Sequence, residues 1–275
     1  MADALGDEWW LDEKDIEDTE IETKRENKRR KDEDGEDNSK NNGNKQMNLS
    51  DVGPNEPKAK KRRKKPMIES ITTKLHGPDA PNILWSSFCD CTAGSLSTLE
   101  LEDVSIDDSC CLVDDSIHSG CLDELLSYLK NIIPQWTRDV DKLNKKGDRG
   151  SPLLLFVSSA ATRVVELNRA ATDFKGKCKT VKLFAKHMKI SEQEQFLESQ
   201  VVHLGIGTPS RILKLIQNDS LKTKRLKYVI LDWTWRDQKL RRMVDIPEVR
   251  GELISLLKDF IFPLAKASKL KIGLF

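Results

Sequence analysis

The sequence is short of apolar residues and of apolar runs. Hydrophobic residues make up 37% of its 275 positions and charged residues 33%, whereas compact globular domains are usually more apolar and less charged. No run approaches the ~20 apolar residues that a membrane-spanning helix needs. The first residues, MADALGDEWW, carry acids where a secretory signal has positive charge followed by an apolar core. We therefore expect a soluble protein made in the cytosol, without a membrane partner.

The sequence also lacks residue sets that would carry covalent chemistry. No Ser/His/Asp or Cys/His combination supports nucleophilic catalysis, and His203, inside an apolar run, is expected to be a hydrogen-bonded core residue. The cysteines have no paired CxxC spacing of the kind that structural zinc sites use. We expect reduced thiols, no metal, no cofactor and no small-molecule substrate. The cysteines are Cys89, Cys91, Cys110, Cys111, Cys121 and Cys178.

The formal net charge of +1 hides three unlike segments. Residues 1–66 carry 16 basic and 18 acidic side chains, residues 67–150 carry 7 and 15, and residues 151–275 carry 23 and 12. The middle is therefore acidic and the C-terminal part basic. A basic folded region points to a polyanionic partner, most commonly nucleic acid.

Residues 1–66 are predicted to be a disordered, charged tail, because so polar a segment buries too little apolar surface to offset chain entropy. Trp9 and Trp10 in acidic surroundings indicate a motif that docks on a partner; the alternative is a weak contact with the chain's own domain. The run PKAKKRRKKP is typical of a nuclear import signal and would also bind RNA phosphates. Its central residues are Lys60, Lys61, Arg62, Arg63, Lys64 and Lys65.

The remaining chain divides into two predicted parts. Residues 67–120 form a poorly defined acidic segment, either packed against a domain edge or mobile. Over residues 121–275, short apolar strands alternate with amphipathic helices, which predicts a single α/β domain with a doubly wound parallel sheet and helices on both faces. Strands are predicted at 153–159, 180–185, 201–207, 226–233 and 270–275, and helices at 122–133, at 160–171, from a capping box Ser191–Glu194, from Thr208 and from Pro247.

The residues at the ends of two predicted strands resemble motifs in the first RecA-like domain of a DEAD-box RNA helicase. In those enzymes one strand leads into Thr-Pro-Gly-Arg at a helix start, and the next strand ends in Asp-Glu-Ala-Asp. Here VVHLGIG leads into Thr208-Pro209-Ser210-Arg211, and LKYVIL leads into Asp232-Trp233-Thr234-Trp235. The 24 positions from Thr208 to Asp232 suit that fold.

A narrower family is also similar. MADALGDEWW, the KRRKK block, KLFAKHMK and DWTWRDQKLRRMVDIPE resemble the Cms-one ribosomal small-subunit homologues, eukaryotic nucleolar proteins associated with early small-subunit assembly. The resemblance covers the extreme N-terminus and residues 120–275. It implies a degenerate helicase domain, RNA association and a role in pre-ribosome maturation.

The sequence departs from an active helicase at three points. An ATPase of this fold needs a glycine-rich loop with Gly-Lys-Thr to cradle phosphates, but residues 114–121 contain one glycine, no lysine and two acids. Trp233 replaces the glutamate that orients the attacking water. The sequence ends at Phe275, before a second RecA-like domain. We therefore predict no ATP hydrolysis and no enzymatic activity.

The helicase resemblance assigns other positions to RNA contact. Thr208 and Arg211 stand where helicases grip the sugar-phosphate backbone, and a helix N-terminus favours a phosphate in any family; Thr208 can also simply cap the helix. Lys186 and His187 stand at a turn that touches RNA in helicases. Arg163, near the start of the first helix, is a further candidate.

A basic run follows the Asp232-Trp233-Thr234-Trp235 turn. Its cations are interleaved with two indoles, which suits base stacking with phosphate neutralisation, docking on an acidic protein, or internal packing of the indoles. The candidate RNA-binding arginines there are Arg236, Arg241 and Arg242.

The predicted function is a non-enzymatic RNA-binding assembly factor of the small ribosomal subunit, in the nucleus and specifically the nucleolus. Its expected partners are pre-rRNA or small nucleolar RNA and ribosome assembly proteins. One alternative is a nuclear protein-interaction scaffold without RNA contact. The other is a pseudo-helicase that still binds nucleotide.

Overall fold

The computed structural model describes residues 75–76, 79–112, 117–186 and 188–275. The predicted tail, with Trp9, Trp10 and the basic run, lies outside these residues, as does His187. The strands are β1 (Leu75–His76), β2 (Ile117–His118), β3 (Leu154–Val157), β4 (Thr180–Leu183), β5 (Leu204–Gly207), β6 (Tyr228–Leu231) and β7 (Lys271–Leu274).

The helices begin and end close to the predicted positions where periodicity was clear. They are α1 (Ala80–Thr92), α2 (Thr98–Val104), α3 (Leu122–Ile132), α4 (Trp136–Lys146), α5 (Ala161–Ala170), α6 (Thr172–Lys175), α7 (Ile190–Ser199), α8 (Pro209–Gln217), α9 (Pro247–Leu256) and α10 (Phe262–Lys266). A π-helical turn, Leu257–Ile261, joins α9 to α10, and 3-10 turns occupy Asp108–Cys110 and Met243–Asp245.

Strands β3 to β7 form one parallel sheet in the order β4-β5-β3-β6-β7. The central strand β3 is buried along its whole length, because helices cover both sides of the sheet. In the register of the sheet, Val157 lies opposite Gly207 and Leu231. A side chain at Gly207 would come within 2.2 Å of the Leu183 carbonyl oxygen, so the close approach of β5 to β4 requires glycine there.

The strand order places helices on both faces. The chain runs from β3 out to β4, returns to β5 and then crosses to β6 and β7, and right-handed crossovers put α5 and α6 on one face and α7 to α9 on the other. The packing agrees, since α3 lies against α5 and α6 while α8 lies against α9. The predicted doubly wound α/β fold is confirmed.

The main core lies between the sheet and α3 and α5. Leu125, Leu129 and Ile132 repeat at helical spacing and are buried there. Tyr128, also buried, donates its hydroxyl to the Leu274 carbonyl oxygen at 2.8 Å. The phenol is therefore satisfied within an otherwise apolar interior.

Residues 79–112 pack on the same unit as the sheet. In α1, Phe88 is buried and its ring centroid lies 5.0 Å from that of Phe262. Lys266 donates its ammonium group to the Glu102 and Asp103 carbonyl oxygens in the last turn of α2, at 3.0 and 2.8 Å. Leu112 donates its N–H to a carbonyl oxygen of β7 at 2.7 Å. Most of the segment left undecided by the sequence is thus tied to the domain.

The start of α7 differs from the prediction. The capping box at Ser191–Glu194 is wrong, because α7 begins at Ile190 and Lys189 is its N-cap residue. Glu192, three residues after the cap, accepts the Lys189 N–H at 3.1 Å. Glu192 and Glu194 each follow a possible N-cap residue by three positions, and in the structure Glu192 forms the capping box.

Two further properties of the described residues bear on the expectations above. None of their helices is long and apolar enough to cross a membrane. All six cysteines are free thiols. Burial raises the pKa of Cys111 to about 12, which keeps that thiol protonated at physiological pH.

Candidate nucleic-acid interface

The carboxyl ends of β3, β4 and β5 meet at one edge of the sheet and frame a cleft of about 250 Å³. The structure brings Lys186 and Thr208 together in this cleft, as the helicase resemblance implies, and adds Ser210. Lys186 is exposed, so its ammonium group is accessible to a ligand.

Thr208 occupies the N-cap position of α8, but its side chain makes no capping hydrogen bond. Its backbone carbonyl oxygen accepts the first helical hydrogen bond, from Ile212 at 3.1 Å. Pro209 is the first helical residue and has no N–H. The amides of the first turn have no partner within a helix. Among the described residues those of Ser210 and Arg211 therefore remain for a ligand, beside a Thr208 hydroxyl that does not cap the helix.

Ser159, which the sequence argument did not single out, also lines the cleft. Its hydroxyl oxygen is buried and has no hydrogen-bond partner among the described residues. Buried hydroxyl groups are normally paired, so this one marks a position for a polar ligand atom. Glu248, exposed at the start of α9, is an acid on the cleft wall and opposes an anion.

Arg211 does not line the cleft but holds its wall. Its guanidinium donates to the Met188 carbonyl oxygen at 3.2 Å and to the Gln193 side-chain oxygen at 2.9 Å. Gln193, which is buried, in turn donates to the Lys182 and Phe184 carbonyl oxygens. Arg211 therefore positions the loop that carries Lys186.

Arg163 lies in the interior, paired with Asp232. The guanidinium Nε is 3.2 Å from Asp232 Oδ2, and the same oxygen accepts the Ser158 hydroxyl at 2.7 Å. A second guanidinium nitrogen donates to the Gly120 carbonyl oxygen at 2.8 Å. Burial raises the pKa of the Asp232 carboxyl, while Arg163 and Ser158 act to lower it. Arg163 is 4% exposed, a position that does not favour the RNA contact expected from the sequence.

The crevice beside this ion pair is filled by the chain itself. The helix that follows β3 lies on one face of the sheet, whereas the helices that follow its neighbours β5 and β6 lie on the other face. In doubly wound sheets, ligands bind in the crevice where the helices change face in this way. Here Thr234 packs on Gly120 and donates its hydroxyl to the Ser119 carbonyl oxygen at 3.2 Å. Glu124 accepts both the N–H and the hydroxyl of Ser119, each at 2.9 Å. A carboxylate therefore already holds the amide that a phosphate would need just before α3.

The basic run after β6 is ordered by its own carboxylates and does not line the cleft. Arg241 makes two hydrogen bonds to Asp237, at 2.9 and 2.8 Å, and Arg242 makes two to Asp245, at 3.0 and 3.1 Å. Arg236 donates to the carbonyl oxygen of Thr234 at 3.2 Å.

The two indoles of this run differ in exposure. Trp233 is 4% exposed, which supports internal packing among the alternatives given for it. Trp235 is half-buried, and the Arg163 guanidinium lies 6.0 Å from its ring centroid.

His203 is a hydrogen-bonded core residue, as predicted. Its Nδ1 accepts the Lys179 backbone N–H at 3.0 Å, so Nε2 carries the proton and donates to the Asn144 side-chain oxygen at 2.8 Å. Burial lowers the pKa of His203, which keeps the ring neutral at physiological pH.

Comparison with known proteins gives broad matches to one family and a local match to a helicase. The family model described as CMS1, U3-containing 90S pre-ribosomal complex subunit, matches residues 14–261. Protein CMSS1 of Homo sapiens is 43% identical over 223 residues, 80% of this chain and 77% of the human protein. Protein CMSS1 of Xenopus laevis is 46% identical over 179 residues, 65% of this chain and 62% of the frog protein.

The local match is to an RNA helicase. ATP-dependent RNA helicase WM6 of Drosophila melanogaster is 44% identical over 52 residues, which is 19% of this chain and 12% of the helicase. The helicase likeness is thus confined to a short stretch, whereas the CMS1 match spans most of the sequence. The chain belongs to the CMS1 family of U3-containing 90S pre-ribosomal complex subunits, and its role lies in ribosome biogenesis.

Proposed function

We propose that this protein is a non-enzymatic RNA-binding assembly factor of the small ribosomal subunit, acting in the nucleolus. It binds pre-rRNA or small nucleolar RNA within the 90S particle, beside other assembly proteins. The family supports the particle and its nuclear setting. The observation that carries RNA binding is the cleft at the ends of β3, β4 and β5.

That cleft offers the groups with which proteins hold a sugar-phosphate backbone. Lys186 supplies a mobile positive charge, the start of α8 supplies amides and the positive end of the helix dipole, and Ser159 and Thr208 supply hydroxyls. All of these groups can bind phosphate or sugar oxygens, which carry no sequence information. The contact therefore holds RNA in place without selecting its sequence.

The absence of enzymatic activity is proposed from the filled crevice. Asp232 is committed to Arg163 and Ser158, and is 1% exposed, so it does not reach a hydrated magnesium ion. Trp233, in place of a water-orienting glutamate, cannot accept a proton. With no nucleotide to drive release, the domain acts as a static clamp on RNA.

Lys186→Glu in the full chain is expected to weaken binding of a fluorescent single-stranded RNA about tenfold at physiological salt, because it removes one phosphate contact and adds repulsion. Fluorescence anisotropy over a salt series measures both the affinity and its slope. Glu248→Gln should act in the opposite direction, since it removes an acid from the same cleft.

Lys189→Glu is the matched control. Lys189 is exposed and lies three positions along the same loop, but it does not line the cleft. It makes the same charge change and should cost little affinity. Equal losses at 186 and 189, or unchanged affinity in an Arg211→Ala/Lys186→Ala double variant, would contradict a contact in the cleft.

Titration calorimetry with Mg-ATP is expected to show no binding heat, and phosphate release should equal the protein-free background. The Glu124 carboxylate next to the Ser119 amide repels a triphosphate, and the chain itself fills the crevice. A complete DEAD-box helicase serves as the positive control. Clear nucleotide binding would instead support the pseudo-helicase alternative.

A further inference from the structure

A second concave surface lies at the opposite edge of the sheet. A groove of about 760 Å³ runs beside the residues that precede β3, β4 and β5. Its rim carries Arg149, Lys177 and Lys179. Trp136 and Phe174 form part of its wall, with ring centroids 4.9 Å apart and nearly parallel planes, so this wall is firmly packed.

The rim cations are available to a ligand. Arg149, Lys177 and Lys179 are exposed, and none has a carboxylate within 4 Å among the residues that the structure describes. Lys179 donates only to a neutral group, the Gln200 side-chain oxygen at 2.7 Å. Two exposed acids, Asp141 and Asp173, also line the groove, so the charge there is positive but not uniform.

Further cations surround the groove. Lys145 and Lys146 form the last turn of α4. The Asp148 carboxylate pairs with Lys224 at 3.0 Å and with Arg225, which brings a second basic loop, 222–227, beside Arg149. The Lys222 N–H donates to the Gly150 carbonyl oxygen at 2.7 Å and fixes the two loops to each other. Basic residues therefore outnumber acidic ones around the groove.

The lining chemistry favours RNA over an acidic protein. Thr137, Asn144, Ser199 and Gln200 line the groove, and such side chains hydrogen-bond to sugar and phosphate groups. Protein interfaces need large apolar or aromatic anchors at their centre. In the described part of the chain, the large hydrophobic side chains that are exposed are Leu99 and Leu240, and neither lies here.

The groove and the cleft lie at opposite ends of the same strands. Each of the strands β3, β4 and β5 has four residues, and a strand rises about 3.3 Å per residue, so the two edges are about 13 Å apart through the sheet. We propose that the groove bounded by Arg149, Lys177 and Lys179 is a second RNA-binding surface, which lets one molecule bridge two RNA segments. The proposal rests on the proposed function only for the choice of RNA as ligand.

The test is an Arg149→Ala/Lys177→Ala/Lys179→Ala triple variant of the full chain, measured by anisotropy with a single-stranded RNA. Three lost phosphate contacts should lower the slope of log K against log salt by about 2, and the affinity at physiological salt by at least about tenfold. Lys130→Ala/Lys214→Ala/Lys258→Ala removes as many positive charges from sites outside both the cleft and the groove. It should change the slope by less than half as much. Thermal unfolding checks that each variant is folded.

The failure of this proposal is distinguishable from that of the proposed function. If Lys186→Glu is silent and the triple variant is impaired, the groove stands and the cleft fails. If the triple variant matches its control, the groove proposal is overturned whatever happens at Lys186. A polyglutamate peptide, titrated in parallel, stands for an acidic protein ligand. If the triple variant loses as much affinity for this peptide as for RNA, the groove binds acidic protein and the RNA proposal is overturned.

Discussion

Arg163→Ala is expected to lower the free energy of unfolding by about 3–5 kcal/mol, because removing one partner of a buried ion pair leaves an uncompensated charge. Asp232 is 1% exposed, and after the change it keeps only the Ser158 hydroxyl. The Gly120 carbonyl oxygen also loses its donor. Urea unfolding followed by tryptophan fluorescence measures the loss.

Two variants test whether the loss of stability in Arg163→Ala comes from the burial of the Arg163–Asp232 ion pair. Arg225→Ala breaks the pair with Asp148 at the surface, where the two side chains are 26% and 20% exposed, and should cost less than about 1 kcal/mol. Arg163→Met/Asp232→Leu removes both charges and should recover most of the stability lost by Arg163→Ala. If the double variant is as unstable as the single one, packing by Arg163 matters more than its charge.

The stability of the Arg163→Ala variant should also depend on pH more steeply than that of the wild type, in which the pKa of Asp232 is already raised. Burial raises the pKa of Asp232, and the variant loses the guanidinium that opposes this rise. A folded-state pKa above the unfolded value of ~3.9 means that stability is retained at low pH and lost as pH rises through the folded pKa. The deficit relative to wild type should therefore be smaller at pH 5 than at pH 8. An equal deficit at both pH values would contradict a charged Asp232 as its cause.

The parallel sheet could be predicted because its strands are short apolar runs that report burial directly. Leu154 to Val157 are all buried, and a short, wholly apolar run of this kind is typical of a strand covered on both faces. Helix α4 was harder to find. Trp136, Val140 and Leu143 recur at helical spacing, but charged residues crowd the segment. Asp139 is buried because Lys227 and Tyr228, far along the chain, hydrogen-bond to its carboxylate.

The candidate site was predictable where it depends on strand ends. Lys186 and Thr208 each follow an apolar strand, and parallel strands bring their carboxyl ends to one edge. The environment of Arg163 was not predictable in the same way, because its partner Asp232 is 69 positions away. An arginine near the start of a helix looks exposed until the strand order β3-β6 is known. The basic groove was not predictable from the sequence, because its cations come from two separate loops, before β3 and before β4.

Gly120→Ala is expected to lower the free energy of unfolding by about 2–5 kcal/mol, the sum of left-handed backbone strain and overpacking. Gly120 has φ +72°, and a methyl group there would lie 1.8 Å from the Thr234 hydroxyl oxygen. Either the segment before α3 or the turn after β6 must move. Because Arg163 donates to the Gly120 carbonyl oxygen, that movement also disturbs the ion pair with Asp232.

Gly147→Ala is the matched control, since Gly147 has φ +65° and a methyl group there would meet nothing within 4 Å. It should cost only the strain of a left-handed residue, about 1–2 kcal/mol. The difference between the two variants then measures how firmly residues 119–121 pack on the turn after β6. Thr234→Ala combined with Gly120→Ala should recover part of that difference. Gly120→Ala could instead lower the free energy of unfolding no more than Gly147→Ala does. Residues 119–121 would then move without cost and the crevice could open to a ligand, so that nucleotide binding would again be possible at this edge of the sheet.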